Sequence, residues 1–241
     1  MALPQFYHKG TLKKGDEVWL DEDTVRHVVQ VLRMQNGENI QLTNGEGYSG
    51  ISIINKIEKK KCAVVLESVA FHKPRNVSLQ LAVAFTKNTS RNEWLLEKAT
   101  ELGVGSIVPI LAERTELEKF RFDRWNNILV SALLQSQQYY LPRLHEPMQL
   151  ADIVKASNGT AQKLLGHCIE GLERSALSEM LKPGLETIVL IGPEGDFSKE
   201  EVNLCTENGF KGVSMGTQRL RTETAAMAVC AYFNLINHEN V

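Results

Sequence analysis

The chain has 241 residues, 43% of them apolar and 23% charged, with a net charge of −2 at neutral pH. That is long enough for one large domain or two smaller ones with real cores, and it excludes a disordered tail. The charge excludes a long-range attraction for nucleic acid from the total, so any RNA contact must come from a local patch. Residues 1–75 carry eleven Lys and Arg against nine Asp and Glu, a balance of +2, which leaves −4 for the remainder.

No apolar stretch approaches a membrane span, and the opening from Met1 to His8 lacks the charged leader, long apolar run and cleavage site of a signal segment. The expected address is the cytoplasm. The four cysteines, Cys62, Cys168, Cys205 and Cys230, stand far apart with no pair at metal-clip or redox spacing, so they read as reduced core residues and no metal site is expected.

The first seventy-odd residues read mainly as strands, with one helix from Thr24 to Met34 whose Val25, Val28, Val29 and Leu32 fall on one face. Arg26, Gln30 and Arg33 lie away from that stripe, and His27 sits at its edge. Strands follow at Asn39 to Thr43, Tyr48 to Ile57 and Lys61 to Val69, with Asn44-Gly45 as a hairpin signal, which together suggest a small β-barrel. Gly45-Glu46-Gly47-Tyr48-Ser49-Gly50 satisfies the dinucleotide fingerprint literally, but a strand rather than a helix follows it, so it is a turn. Lys59-Lys60-Lys61 is either a solvated turn or an RNA contact.

Phe71 to Asn76 is polar, basic and broken by Pro74, and after it hairpins give way to alternating strands and helices. Val77 to Phe85 reads as a strand. Ser90 with Glu93 has capping-box spacing for a helix carrying Trp94, Leu95, Ala99 and Leu102, ended by Gly103. Val104 to Ile110 returns as a strand, and Asp123 is placed to cap a helix running to about Gln138. Pro142 and Pro147 mark a loop before a short helix from Leu150 to Ala156, and Lys163 to Cys168 is a further strand.

Two glycine-centred loops close the pattern, each at the outlet of a short strand. Glu186 to Ile191 leads into Gly192-Pro193-Glu194-Gly195-Asp196, and Ser198 with Glu201 has the spacing of a capping box. Gly212 to Met215 leads into Gly216-Thr217-Gln218-Arg219-Leu220-Arg221, where Thr222 is placed to cap a helix opening Glu223-Thr224-Ala225. The second half therefore reads as α/β with a mostly parallel sheet, in which ligands gather at the carboxyl ends of strands. The two loops can wall one small-molecule site.

Gly-Pro-Glu-Gly followed by Leu-Arg-Thr-Glu-Thr-Ala, together with Lys98-Ala99-Thr100-Glu101-Leu102-Gly103, Glu113-Arg114-Thr115 and Arg26 to Arg33, resembles the RsmE-type ribosomal RNA methyltransferases of the SPOUT class. Those proteins methylate N3 of a uridine in 16S rRNA of the small subunit. The resemblance implies a PUA-like β-barrel RNA-binding domain over residues 1–72 and a trefoil-knotted α/β methyltransferase domain over 73–241. It further implies S-adenosylmethionine as cofactor and a homodimer. The apolar, small-residue helix from Ala225 to Phe233 suits packing either against a second subunit or within its own core.

Carried over residue by residue, the resemblance places the cofactor on Leu165 and Gly166, on Ile191, Gly192, Pro193, Glu194 and Gly195, and on Met215, Gly216, Leu220 and Thr224. Arg221 is the candidate cation for charge developing on the uracil carbonyls. Glu223 is a candidate base, although a carboxylate in the first turn of a helix more simply stabilises that helix end. Arg26, His27, Arg33 and Arg114 are the candidate RNA contacts, with Arg114 either reaching the cleft or pairing with a surface acid. Two departures stand out: Leu134-Gln135-Ser136-Gln137-Gln138 lacks the family's usual acid and base, and Asp196 replaces a usual second glycine, suiting it to bind a ribose or cap a helix. The rival readings are a SPOUT enzyme acting on a ribose hydroxyl of transfer RNA, and a non-catalytic RNA-binding or assembly protein of the same fold.

Overall fold

A computed structural model describes residues 3–238; Met1 and Ala2 of the opening stretch, and residues 239–241, lie outside the described residues. The chain forms two compact units, one of residues 1–74 with 133–141 and one of residues 75–132 with 142–241.

The first unit is built on a five-stranded sheet. Its strands are β1 (Gln5–Tyr7), β2 (Glu17–Trp19), β3 (Asn39–Thr43), β4 (Tyr48–Glu58) and β5 (Lys61–Phe71), in the order β1-β3-β4-β5-β2. All neighbours are antiparallel except β1 and β3. Register shifts at Ile51/Ser52 and Ile54/Lys56 bend the long β4–β5 ribbon, as β-bulges do. One face buries Phe6, Val18, Ile40, Leu42, Ile54, Val64 and Leu66 in a common core. At the β3–β4 turn the Asn44 side chain accepts the N–H groups of Glu46 and Tyr48.

The helix of this unit departs from the expected Thr24 to Met34. It starts earlier, as α1 (Glu22–Arg26), because the Asp21 carboxylate accepts the N–H groups of Asp23 and Thr24 and so caps the chain there. Over His27–Val31 it then widens into a π-turn, and Arg33 takes a left-handed φ of +55°. The wider turn ends the regular 3.6-residue stripe. Val25 and Val28 stay buried, whereas Val31 and Leu32 emerge at 65% and 42% exposure beside Arg26, Gln30 and Arg33.

The second unit carries, in chain order, β6 (Leu79–Val83), α2 (Thr89–Glu101), β7 (Ser106–Leu111), α3 (Phe122–Gln135), β8 (Arg143–Leu144), β9 (Met148–Gln149) and α4 (Leu150–Ala156). These are followed by β10 (Gln162–Gly166), β11 (Ser175–Ala176), α5 (Leu177–Met180), β12 (Thr187–Ile191), α6 (Lys199–Glu207), β13 (Lys211–Ser214) and α7 (Thr222–Ile236). The last turn of α3 belongs to the first unit. The strands pair in parallel in the order β11-β13-β10-β12-β6-β7-β8, with β9 also on β7. All five residues of β12 are buried, the continuous apolar run of a parallel strand covered on both faces. Leu150, Ile153 and Val154 of α4 and Val202 and Cys205 of α6 share one core with Leu165, Ile188 and Leu190. Helices α2 and α7 pack against each other, burying Leu95, Leu96 and Ala99 of the one and Ala226, Val229 and Phe233 of the other.

Three caps differ from expectation. The α2 cap is Asn88, which accepts from Arg91 N–H, while Asn92 is held by Thr86, so the helix begins before Ser90. Helix α3 begins at Phe122, which puts Asp123 inside its first turn. The N-cap position of α7 falls to Arg221, one residue before Thr222, and Arg221 makes no side-chain capping bond. The capping box at Ser198 and Glu201 forms in full. No helix among the described residues is long and apolar enough to cross a membrane.

The order β13-β10-β12 decides where ligands can go. The chain leaves β12 on one side of β10 and returns as β13 on the other, so the carboxyl ends of all three strands face one crevice. Such a reversal of strand order is where open α/β sheets bind their ligands.

Candidate functional site

A cleft of about 880 Å³ lies at those strand ends, in the upper part of the range usual for small-molecule sites. Three loops line it. From the loop after β10 come Gly166, His167, Cys168, Glu170 and Arg174. From the loop after β12 come Ile191, Gly192, Pro193, Glu194 and Asp196, and from the loop after β13 come Met215 through Arg221.

Of the residues singled out in the sequence, Gly166, Ile191, Gly192, Pro193, Glu194, Met215, Gly216, Leu220 and Arg221 all line the cleft. Others stand back from it. Leu165 is wholly buried, its side chain in the sheet core. Gly195 lies against Arg114, Thr224 is exposed in the first turn of α7, and Glu223 is buried there at 8% exposure. Arg26, His27 and Arg33 belong to the first unit, where Arg26 pairs with Asp23 at 3.4 Å and the His27 ring packs edge-on to Phe6.

The glycines leave room that side chains would fill. A Cβ on Gly166 would stand 2.9 Å from both Ile191 Cδ1 and Met215 Cε, two groups of the cleft wall. Gly216 has φ +123°, a conformation essentially reserved for glycine. Gly192 is held against the buried Phe197 ring, which a Cβ would meet at 2.9 Å.

Hydrogen bonds tie the loops together. Thr222 Oγ1 donates to the Gly192 carbonyl at 3.0 Å, which fixes the start of α7 to the loop after β12 and explains why that hydroxyl does not cap its own helix. Arg219 donates to the Glu194 carbonyl at 3.4 Å, and Arg114 to the Gly195 carbonyl at 2.8 Å. Arg91, in the first turn of α2, pairs with the Glu194 carboxylate at 2.7 Å and lies 3.6 Å from that of Glu223. The second carboxylate oxygen of Glu223 is buried without a hydrogen-bond partner. Among the described residues, Arg221 is the cleft arginine without such a tie, since Arg174 is held by the His167 carbonyl at 2.9 Å.

Motif and periodicity did not single out His167, Cys168, Glu170, Arg174 or Arg91. The first four carry no motif; the signal open to use was their place at the outlet of a parallel strand. Arg91 had no linear signal, because its partner Glu194 is 103 residues away.

His167 is buried, and burial pushes its pKa below the usual histidine value; Asp196 opposes that shift and Arg174 adds to it. His145 is lowered in the same way, by burial and then by Arg143. A histidine depressed in the folded state is neutral in both states at higher pH. As pH falls below about 6.5 the unfolded chain takes up a proton that the native chain resists, so stability is intact above that value and lost as pH falls through the lower native one. Melting temperature is therefore expected to fall between about pH 7.5 and pH 5, and His167→Gln to show a smaller fall. An identical fall in the variant would remove His167 from the account.

A cleft with accessible backbone, apolar cover from Ile191, Met215 and Leu220, and three arginines with three carboxylates suits a small ligand with an apolar ring system and charged ends. Similarity to known proteins agrees with that chemistry. Residues 73–234 match the family described as RNA methyltransferase domain, and residues 20–67 match the RNA methyltransferase PUA domain. The chain is similar to the ribosomal RNA small subunit methyltransferase E of Aquifex aeolicus, 28% identical over 90% of this chain and 93% of that one. It is equally similar to the protein of the same name from Synechocystis, 28% identical over 91% of this chain and 73% of that one. A solved structure of ribosomal RNA small subunit methyltransferase E from Neisseria gonorrhoeae, bound to S-adenosyl methionine, is 27% identical, covers 98% of each chain and superposes with a TM-score of 0.88.

Proposed function

Because this chain belongs to the RNA methyltransferase domain family, matched over residues 73–234, we propose that it transfers a methyl group from S-adenosylmethionine to 16S rRNA of the small ribosomal subunit. The observation that carries the reading is the convergence of the three loops after β10, β12 and β13 on one cleft. Gly166, Gly192 and Gly216 offer main chain to an adenine edge, Ile191, Met215 and Leu220 cover its faces, and the arginines and carboxylates suit the charged methionine end. When bound, the cofactor supplies an electrophilic methyl carbon on a sulfonium.

The finer proposal is that the acceptor is N3 of a uridine. That nitrogen carries a proton at neutral pH, so its loss spreads negative charge onto the flanking carbonyl oxygens. We assign the Arg221 guanidinium, which lines the cleft, to hydrogen-bond such an oxygen and stabilise charge as it develops. The rest of the chain's work is holding the acceptor about 3–3.5 Å from the methyl carbon and excluding water. We assign Glu223 to support: a carboxylate in the first turn of α7 favours the helix end and faces Arg91, which holds Glu194.

The same reading includes a PUA-like RNA-binding domain at the N-terminus, a homodimer, a cytoplasmic address and a knotted thread. The passage of the chain from β12 across β10 to β13 supports the last of these. Leu235, 74% exposed near the end of α7, offers apolar surface to a second copy.

Titration calorimetry with S-adenosylmethionine tests the cofactor: heat with one site per chain is expected, and no heat with or without RNA would overturn the proposal. For RNA, Arg26→Ala combined with Arg33→Ala removes two exposed cations beside the π-turn. The slope of log affinity against log salt is then expected to shrink by roughly 1.5, about 0.7–0.9 for each phosphate no longer neutralised. An unaltered slope would return both arginines to the ordinary surface.

A further inference from the structure

We propose that Asp196 is a positioning residue, a latch that holds the loop of residues 167–174 against the Gly192 to Gly195 loop and so sets the width of the cleft. Its consequence for S-adenosylmethionine rests on the function proposed above.

Asp196 has φ +65°, in the left-handed region where glycine is free of cost and aspartate is among the few others tolerated. Its carboxylate does what glycine could not. Oδ2 accepts the Cys168 N–H at 2.7 Å, across 28 residues of sequence, and Oδ1 accepts the N–H of the next residue, Phe197, at 2.9 Å. The Asp196 N–H itself donates to the Pro193 carbonyl at 2.9 Å, closing the turn that presents the side chain. A backbone N–H given to an ionised carboxylate is a short, strong bond.

The opposite loop is prepared for that tie. Arg174 Nη1 donates to the His167 carbonyl at 2.9 Å, joining the two ends of the loop, and the buried His167 accepts the Ile169 N–H on Nδ1. Cys168 stands next to His167 at the cleft wall, so the bond to Asp196 fixes the point where this loop meets its neighbour. The capping role suggested by sequence goes elsewhere, since the N-cap of α6 is Ser198.

Two variants separate the latch from a general structural role. Asp196→Gly relieves the left-handed backbone and deletes both acceptors, whereas Asp196→Asn keeps an oxygen for the Cys168 N–H but loses the charge and the second acceptor, which serves the Phe197 N–H. Cys168 also supplies a reporter independent of the cofactor: against the expectation that all four cysteines are core residues, it is exposed, while Cys62, Cys205 and Cys230 are buried, with Cys205 and Cys230 each pushed up to about 12 by burial. A thiol reagent at neutral pH therefore reads Cys168 in the folded protein.

Asp196→Gly, compared with the parent at a temperature where both are folded, is expected to bind S-adenosylmethionine about tenfold more weakly by calorimetry and to react faster at Cys168. Asp196→Asn, with one acceptor left for the Cys168 N–H, is expected to fall between the parent and the glycine variant in both affinity and labelling. Parent affinity and labelling rate in Asp196→Gly would overturn the latch, and so would an Asp196→Asn variant as impaired as the glycine one. If the parent binds no S-adenosylmethionine, the proposed function fails while the labelling rates still decide the latch.

Discussion

Arg221→Ala is expected to lower methyl transfer to small-subunit rRNA by about 10²- to 10³-fold while changing S-adenosylmethionine affinity by no more than about threefold, the pattern of a missing donor to developing charge. The argument is one of position. Arg221 is the residue before α7, and the Thr222 hydroxyl bonded to the Gly192 carbonyl pins the backbone beside it to the loop after β12. The other arginines of the cleft each donate to a main-chain oxygen of the loops, Arg174 to His167 at 2.9 Å and Arg219 to Glu194 at 3.4 Å, whereas Arg221 makes no such bond among the described residues. The Arg221 side chain lines the cleft and is exposed. Single-turnover rates with saturating cofactor, set beside calorimetric binding, check it. Equal losses in both would make Arg221 a cofactor ligand, and unchanged turnover would remove it from the mechanism.

Gly212→Ala is expected to destabilise the protein by about 1–3 kcal/mol, as overpacking does, and to weaken cofactor binding with it. In β13 a Cβ at this position would stand 2.5 Å from the Glu173 carbonyl oxygen and 2.9 Å from His167 Nε2. The carbonyl belongs to main chain and His167 is buried, so neither can swing aside as the end of a flexible side chain would. The loop of residues 167–174 must move as a body, and with it one wall of the cleft. Denaturant melts and calorimetry measure the two effects. Gly159→Ala serves as a reference: Gly159 has φ +93°, and a Cβ added there would meet nothing within 4 Å, so it reports backbone strain away from the cleft. A Gly212→Ala variant with the parent's cofactor affinity would show that the loop's position does not govern binding.

Much of the catalytic unit could be read from local pattern because its elements follow local rules. Leu150–Ala156 is helical as expected, and Ser198 with Glu201 closes both bonds of the capping box that its spacing announced. The buried run of β12 and its glycine outlet stand where the apolar stretch ended. Where tertiary bonds competed with local ones, the pattern failed. Ser90 and Asn88 are both good caps, and the choice fell to Asn88 alongside the buried bonds between Asn92 and Thr86. Thr222 looked like a cap and instead serves a carbonyl 30 residues away.

The candidate site was legible in two of its three walls. Glycine loops at strand outlets mark the walls after β12 and β13, but the wall after β10 has only Gly166 to announce it, and its shape depends on Asp196 and Arg174. The π-turn at His27–Val31 is an extra residue in a helical stripe, invisible to a 3.6-residue period, and it brings Val31 and Leu32 out beside two arginines. The grouping of residues 133–141 with the first unit likewise has no signature in composition.

The most direct test of the central claim is to incubate the protein with methyl-labelled S-adenosylmethionine and small ribosomal subunits that lack the modification, digest the RNA to nucleosides and separate them. The account predicts label in N3-methyluridine, falling at least about a hundredfold when Arg221→Ala replaces the parent at equal concentration and time. Label in a ribose-methylated nucleoside, or no label in RNA from a protein that binds the cofactor, would contradict it.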